Sequence, residues 1–152
     1  MSDQQDRLVR YDAGGGVATI TLDSQHNRNA LSARLVAELS ACLTKAGSDH
    51  GVRVVVLTHA GRVFCSGADL AAAGSGSVSD ANTAIMAVLR LIVELPKPVM
   101  ARIAGPVRAG GMGIVGACDL VVAAGSANFA FTEARIGVAP AMISLTTLDV
   151  MD

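Results

Sequence analysis

The residues best suited to chemistry form a short run, Phe64-Cys65-Ser66-Gly67-Ala68-Asp69-Leu70, with a second small-residue turn at Gly110-Gly111 and a carboxylate at Glu133 further on. Gly67 and Ala68 lack the bulk that keeps a ligand away from the backbone. A peptide N–H in such a turn can face a cleft and meet an anion or a developing oxyanion. One donor is not specific: a site also needs a second donor and an acid or base. Taken alone, Glu133 fits a surface or capping carboxylate as well as a proton-transfer group.

Other polar residues have plainer readings. Asp69 suits a turn or a helix cap, and Asp119 the anchor of a turn. His26, His50 and His59 fall in separate polar segments without metal-ligand spacing, which predicts solvated roles and no metal site. Cys65 is expected to pack as a small apolar residue, because no paired histidine can be inferred. Arg108 fits a phosphate contact or solvent equally well. The run Gly111-Met112-Gly113-Ile114-Val115-Gly116 has dinucleotide-fingerprint spacing, but it comes late in the chain and an extra turn separates it from its strand. Close helix packing explains those glycines better.

These groups must be held by a scaffold. A chain of 152 residues is the size of one domain, residues 1–152, and can bury a real core. With 51% hydrophobic but only 3% aromatic residues, that core is built from Ala, Val, Leu and Ile, which favours α/β layers. The formal net charge of -1 leaves no footprint for nucleic acid or anionic lipid, so small molecules are the expected partners. Three cysteines with no C-x-x-C argue against a disulfide framework or zinc and fit a reducing compartment. Residues 1–7 lack a signal-type apolar region, and no run is apolar enough to span a membrane. The expected location is the cytoplasm.

Residues 8–11 and 17–22 are strand-like around a Gly14-Gly15-Gly16 turn. Ser32 is placed to cap a helix carrying Leu35, Val36, Leu39, Cys42 and Leu43 on one face and ending at Gly47. Residues 52–57 form a β-branched run typical of a strand covered on both faces. Residues 71–79 are small and polar, suggesting a surface segment or lid. A second helix beginning at Ser79 or Asp80 is ended by Pro96. Strands follow at 98–104, 120–124 and 128–131, with a glycine-rich turn and short helix between the first two, and a last helix from Ala141.

Four motifs in order carry a resemblance: Arg28-Asn29-Ala30-Leu31-Ser32; Phe64 to Leu70; Ala109-Gly110-Gly111-Met112-Gly113 with Ala117-Cys118-Asp119-Leu120; and Phe129-Ala130-Phe131-Thr132-Glu133. The chain resembles the enoyl-CoA hydratase/isomerase (crotonase) family. The resemblance implies an α/β spiral of repeated ββα units, an acyl-CoA substrate, no cofactor beyond the coenzyme A of that substrate, and a homo-oligomer, a trimer or hexamer. It implies that the N–H groups of Ala68 and Gly110 stabilise a thioester enolate. A misplaced or lost donor of this kind costs about 3 kcal/mol of transition-state stabilisation. By the same resemblance Ala68, Asp69, Leu70 and Ala71 line the substrate, Ser66 and Arg28 lie by the CoA adenine or phosphates, and Glu133 is a catalytic acid or base set among Phe129 and Phe131.

Two departures qualify that reading. The family's other catalytic glutamate corresponds to Gly113, which has no side chain, so hydration with two carboxylates is in doubt. The family also continues well beyond residue 152, which implies a truncated member with the C-terminal helical region missing. The sequence is therefore compatible with a hydratase/isomerase-type enzyme using Glu133 alone, or with a non-catalytic acyl-CoA-binding pseudoenzyme or inactive fragment. A serine peptidase on a related fold is disfavoured, since there is no G-x-S-x-G.

Overall fold

The computed structural model describes residues 7–69 and 78–148. Strands β1 (Val9–Gly14) and β2 (Val17–Leu22) form the opening hairpin. The glycine-rich turn between them reverses the chain, and Gly15 and Gly16 both take positive φ there. Helix α1 (Ala33–Ser48) follows a single turn of tighter helix at Gln25–Asn27. Ser32 caps α1 as expected, its hydroxyl accepting from the Leu35 N–H at 3.3 Å. The helix continues through Gly47, which leans on Leu95, instead of stopping there.

The run of valines then becomes β3 (Val54–His59), followed by α2 (Val78–Val93), β4 (Val99–Ile103), the two-residue β5 (Val107–Arg108), α3 (Gly110–Gly116), β6 (Leu120–Ala123), β7 (Phe129–Ala130) and α4 (Ala141–Thr147). Helix α2 ends at Val93, three residues before Pro96, which has no N–H to continue the ladder to the Ile92 carbonyl. The main sheet has the order β1-β2-β3-β4-β6, and every pairing after the hairpin is parallel. Parallel strands need crossovers, and α1, α2 and α3 supply them.

A second, smaller layer is built by the segments that leave the sheet. It consists of single bridges joining Leu31 to Ala68 and Cys65 to Val107, then the β5–β7 pair, all parallel. Each passage of the chain thus contributes one strand to the main sheet, a short stretch to the second layer and a helix. That is the ββα spiral, and the sequence shows no repeat because the second-layer pieces are only one or two residues long.

The core lies between the main sheet and α1 and α2. Leu35, Leu39 and Leu43 of α1 and Val88, Leu89 and Ile92 of α2 are buried there with Ile20, Val55, Leu57 and Ala101 of the sheet. The far edge is different: all four residues of β6 are exposed, with Leu120 at 53% and Val122 at 55%. A parallel strand normally has both faces covered, so β6 is an apolar edge. Among the described residues no helix is long and apolar enough to cross a membrane.

Candidate functional site

The site begins with the loop that follows β2. Arg28 and Asn29 both adopt left-handed backbone conformation, which an Asn tolerates better than most residues. Asn29 is buried and holds three strands of loop together. Its Oδ1 accepts from Ser24 N–H at 2.7 Å, and its Nδ2 donates to the carbonyls of Val63 at 2.8 Å and Ala60 at 3.2 Å. The Arg28 carbonyl accepts from Ser66 N–H at 3.1 Å, and the Ser66 hydroxyl donates to the Asn27 carbonyl at 3.2 Å. Ser66 is therefore committed to the loop, while Arg28 is exposed beside a cleft of about 380 Å³ that Gln25, Arg62 and Val63 also line.

The turn after β3 is fastened to its neighbours on both sides. Leu31 N–H donates to the Gly67 carbonyl at 2.8 Å, and Arg108 N–H donates to the Cys65 carbonyl at 2.9 Å. Within the turn, Gly67 N–H points at Cys65 Sγ, 3.5 Å away. Burial pushes the Cys65 thiol up to about 12, so it is a protonated packing group, as the sequence suggested, and not a nucleophile. Gly67 has a φ of 96° and faces Ala109 so closely that a Cβ on it would lie 2.6 Å from the Ala109 Cβ. Only glycine fits.

This packing brings the two small-residue turns together. A Cβ on Gly110 would lie 3.8 Å from the Ala68 nitrogen, and one on Gly67 would lie 3.5 Å from the Gly110 nitrogen. Neither the Ala68 nor the Gly110 N–H has an acceptor among the described residues. Gly110 is the first residue of α3, so its N–H is one of those that a helix leaves unpaired, and it sits at the positive end of the helix dipole. Ala68 is exposed. Two unspent donors bordering one gap can receive an oxygen that gains negative charge.

Glu133 opens a short turn of tighter helix, Glu133–Ile136, which follows β7. Its register is linked to that of Gly110, because the Ala109 N–H donates to the Ala130 carbonyl at 3.1 Å. The side chain is half-buried, and Oε2 is shielded from solvent without a hydrogen-bond partner among the described residues. The expected aromatic setting is only partial: Phe131 is half-buried but Phe129 is 43% exposed. Asp69 is half-buried, with Asn27 Nδ2 donating to its Oδ2 at 3.4 Å. Leu70, Ala71 and the lid expected over 71–79, apart from its last two residues in α2, lie outside the described residues.

Gly113 is not an empty seat for a lost carboxylate. A Cβ there would lie 2.8 Å from Ile143 Cγ2 and 3.1 Å from Leu89 Cδ1. Apolar side chains of α2 and α4 fill the space.

Two polar residues behave differently from the sequence reading, and a third agrees with it. Arg108, left open between phosphate and solvent, is spent on Asn128: it donates from Nη1 to the Asn128 carbonyl at 2.9 Å and from Nη2 to Asn128 Oδ1. It clamps β5 to β7. His59 is the last residue of β3, not a solvated loop residue; its Nε2 accepts from Ala104 N–H at 3.0 Å, and desolvation lowers its pKa. Asp119 does anchor, accepting from Val99 N–H at 2.7 Å to align β4 and β6. Among the described residues no group of three His, Cys, Asp or Glu is placed to hold a metal. The residue that sequence reasoning passed over is Ala109, whose φ of 47° and ψ of -122° no residue type would suggest for alanine.

Comparison with known proteins agrees with this architecture. The sequence profile of the enoyl-CoA hydratase/isomerase family matches residues 12–149. An enoyl-CoA hydratase of Mycobacterium avium is similar in structure, with a TM-score of 0.85, 53% identity, and coverage of 95% of this chain and 58% of that one. An enoyl-CoA hydratase of Mycobacterium smegmatis has a TM-score of 0.88 at 32% identity, covering 93% of this chain and 57% of that one. A 4-chlorobenzoyl coenzyme A dehalogenase of an Arthrobacter species is 34% identical over 146 residues, 91% of this chain and 53% of its own length. The chain belongs to the enoyl-CoA hydratase/isomerase family and has the crotonase fold. It spans about half the length of the curated relatives it matches.

Proposed function

We propose that this chain carries the thioester-binding and proton-transfer parts of an acyl-CoA enzyme of hydratase/isomerase type. The N–H groups of Ala68 and Gly110 hold the thioester oxygen, and Glu133 moves the proton. The observation that supports the reading is that the Ala68 and Gly110 nitrogens, neither with an acceptor among the described residues, lie close to each other's turn where the two turns are hydrogen-bonded together. The relatives named for coenzyme A thioesters differ in reaction, which supports the thioester as the shared element.

The chemistry this arrangement suits is double-bond migration more than hydration. The Glu133 carboxylate takes the α-proton of a β,γ-unsaturated thioester, and the electron pair moves through the α-carbon onto the carbonyl oxygen as a dienolate. The two N–H donors, fixed before the charge develops, stabilise it. The protonated Glu133 then returns the proton to the γ-carbon. The double bond lies α,β, the carboxylate is restored, and no water is consumed. Hydration with a second carboxylate would need a side chain at 113, where Ile143 and Leu89 already pack. Arg28 beside its cleft, Asp69, and Leu70 and Ala71 are the residues proposed to contact the rest of the acyl-CoA, with no separate cofactor, in a cytoplasmic homo-oligomer.

The test is a comparison of a short β,γ-enoyl-CoA with the α,β-isomer. Conversion of the first without hydration of the second is expected; hydration of the second at an equal or greater rate overturns the assignment. A non-catalytic acyl-CoA binder is the alternative outcome. Calorimetric binding of an acyl-CoA with turnover of neither isomer would establish it.

A further inference from the structure

Ala109 is one of the positive-φ residues other than glycine at the site. Its φ of 47° and ψ of -122° lie in a region that glycine enters freely and that costs other residues strain. The strain is maintained from every side. The Ala109 N–H donates to the Ala130 carbonyl at 3.1 Å, its carbonyl accepts from Met112 N–H at 2.8 Å, and the preceding Arg108 N–H donates to Cys65 at 2.9 Å. Its methyl group takes up the space on the Gly67 side that any Cβ on Gly67 would need.

A glycine at 109 would meet the same backbone geometry without strain, yet the chain carries alanine. The difference is the methyl group and the narrow range of φ and ψ it permits. Ala109 directly precedes Gly110, and Gly67 directly precedes Ala68. The one contact between Ala109 and Gly67 therefore joins the residues that aim both unspent N–H groups. We infer that Ala109 is a positioning residue, whose strained backbone and methyl contact with Gly67 fix the spacing and direction of the Ala68 and Gly110 N–H groups. The inference rests on the reading of those groups as the thioester-oxygen site. Glycine at this position releases strain and widens the accessible backbone range together, so stability and function move in opposite directions. A residue that merely packs would move them together.

The experiment compares the wild-type chain with A109G and A109S. For A109G the expected result is a Tm raised by about 2–4 °C, kcat on a β,γ-enoyl-CoA lowered about tenfold with KM little changed, and greater mobility of both the Ala68 and the Gly110 amides in NMR relaxation. A109S keeps the Cβ, so its amides should be as rigid as those of the wild type and its kcat nearer the wild type than that of A109G. A lower or unchanged Tm in A109G, or amides as rigid as in the wild type, overturns the inference. So does a kcat equal to that of an active wild type. If the wild type turns over no acyl-CoA, the functional reading fails, and Tm and the two amides still decide whether Ala109 positions the turns.

Discussion

A Cβ on Gly113 would meet Ile143 Cγ2 at 2.8 Å, so the position that resembles a second catalytic carboxylate is occupied by the side chain of a residue thirty positions later. Ile143 is itself almost fully buried. The glycine and the isoleucine are one packing solution, in which α4 lies close against α3 because α3 has no side chain at that point.

Gly113→Ala should therefore destabilise the chain even though alanine is the better helix former. The propensity gain is about 1 kcal/mol. Overpacking a buried contact costs about 1–3 kcal/mol, and α4 or Ile143 must shift to admit the methyl group. The net expectation is a loss of about 1 kcal/mol in urea denaturation. Combining it with Ile143→Val should recover part of that loss, giving a coupling of at least about 0.5 kcal/mol. Simple additivity would show that the two residues do not compete for the space.

Glu133→Gln should lower turnover by about 10²-fold or more, the usual contribution of a positioned acid or base. Acyl-CoA affinity should stay nearly constant, because the donors proposed to hold the thioester are backbone groups. Steady-state kinetics paired with calorimetry separates the two effects. Equal rates for variant and wild type would remove Glu133 from the mechanism.

Asn29→Ala should be among the costlier single changes. It leaves the Ser24 N–H and the carbonyls of Ala60 and Val63 without their partners, and unmade buried hydrogen bonds cost about 1–3 kcal/mol each. A total loss of about 3 kcal/mol is expected from equilibrium unfolding. Asn29→Asp, which keeps the acceptor for Ser24 but loses both donors, should fall between the two. A loss under about 0.5 kcal/mol would show that the loop does not depend on this side chain.

The stability of the fold should also decline on the acid side through His59. Desolvation lowers its folded-state pKa below the unfolded value of 6.5. The unfolded chain therefore binds the proton first as pH falls, and ∂ΔG/∂pH is positive between the two pKa values. The contribution is present above pH 6.5 and is lost as pH falls through the folded pKa. Urea midpoints measured across that window should decline for the wild type and decline less for His59→Gln. Identical slopes would place the titration elsewhere.

The thiols act in the opposite direction. Burial raises Cys65 and Cys118 from 9.0 to about 12, so the folded chain keeps protons that the unfolded chain releases. Their contribution is intact below pH 9 and is lost as pH rises toward 12. Stability should fall above pH 9 and fall less steeply in Cys65→Ala. In the native chain Cys65 should resist alkylation at neutral pH.

The parts of this architecture legible in the sequence were those that rest on side-chain type and period. The Ser32 cap, the apolar face of α1, the valine-rich β3 and the glycine at 67 all follow from local chemistry. Residues 107–108 are harder, because a strand of two residues inside a glycine-rich turn has no period to detect and exists only through its pairing with residues 129–130, which the sequence does mark as strand. His59 looked solvated because its neighbours Ala60 and Gly61 suggest a loop, whereas its acceptor role depends on Ala104, 45 positions away. Arg108 was ambiguous for the same reason: Asn128 is 20 positions distant. Ala109 gave no signal, since strain at a non-glycine residue is imposed by tertiary contacts and not by the residue's own preference.

The central claim is that the Ala68 and Gly110 N–H groups together polarise a thioester carbonyl. The most direct measurement is the infrared carbonyl stretch of an isotope-labelled short enoyl-CoA, free and bound to the wild-type chain. Two hydrogen bonds to the oxygen should move the stretch to lower frequency on binding. A bound thioester whose carbonyl stretch is unchanged from that in water, or moves to higher frequency, would contradict the account.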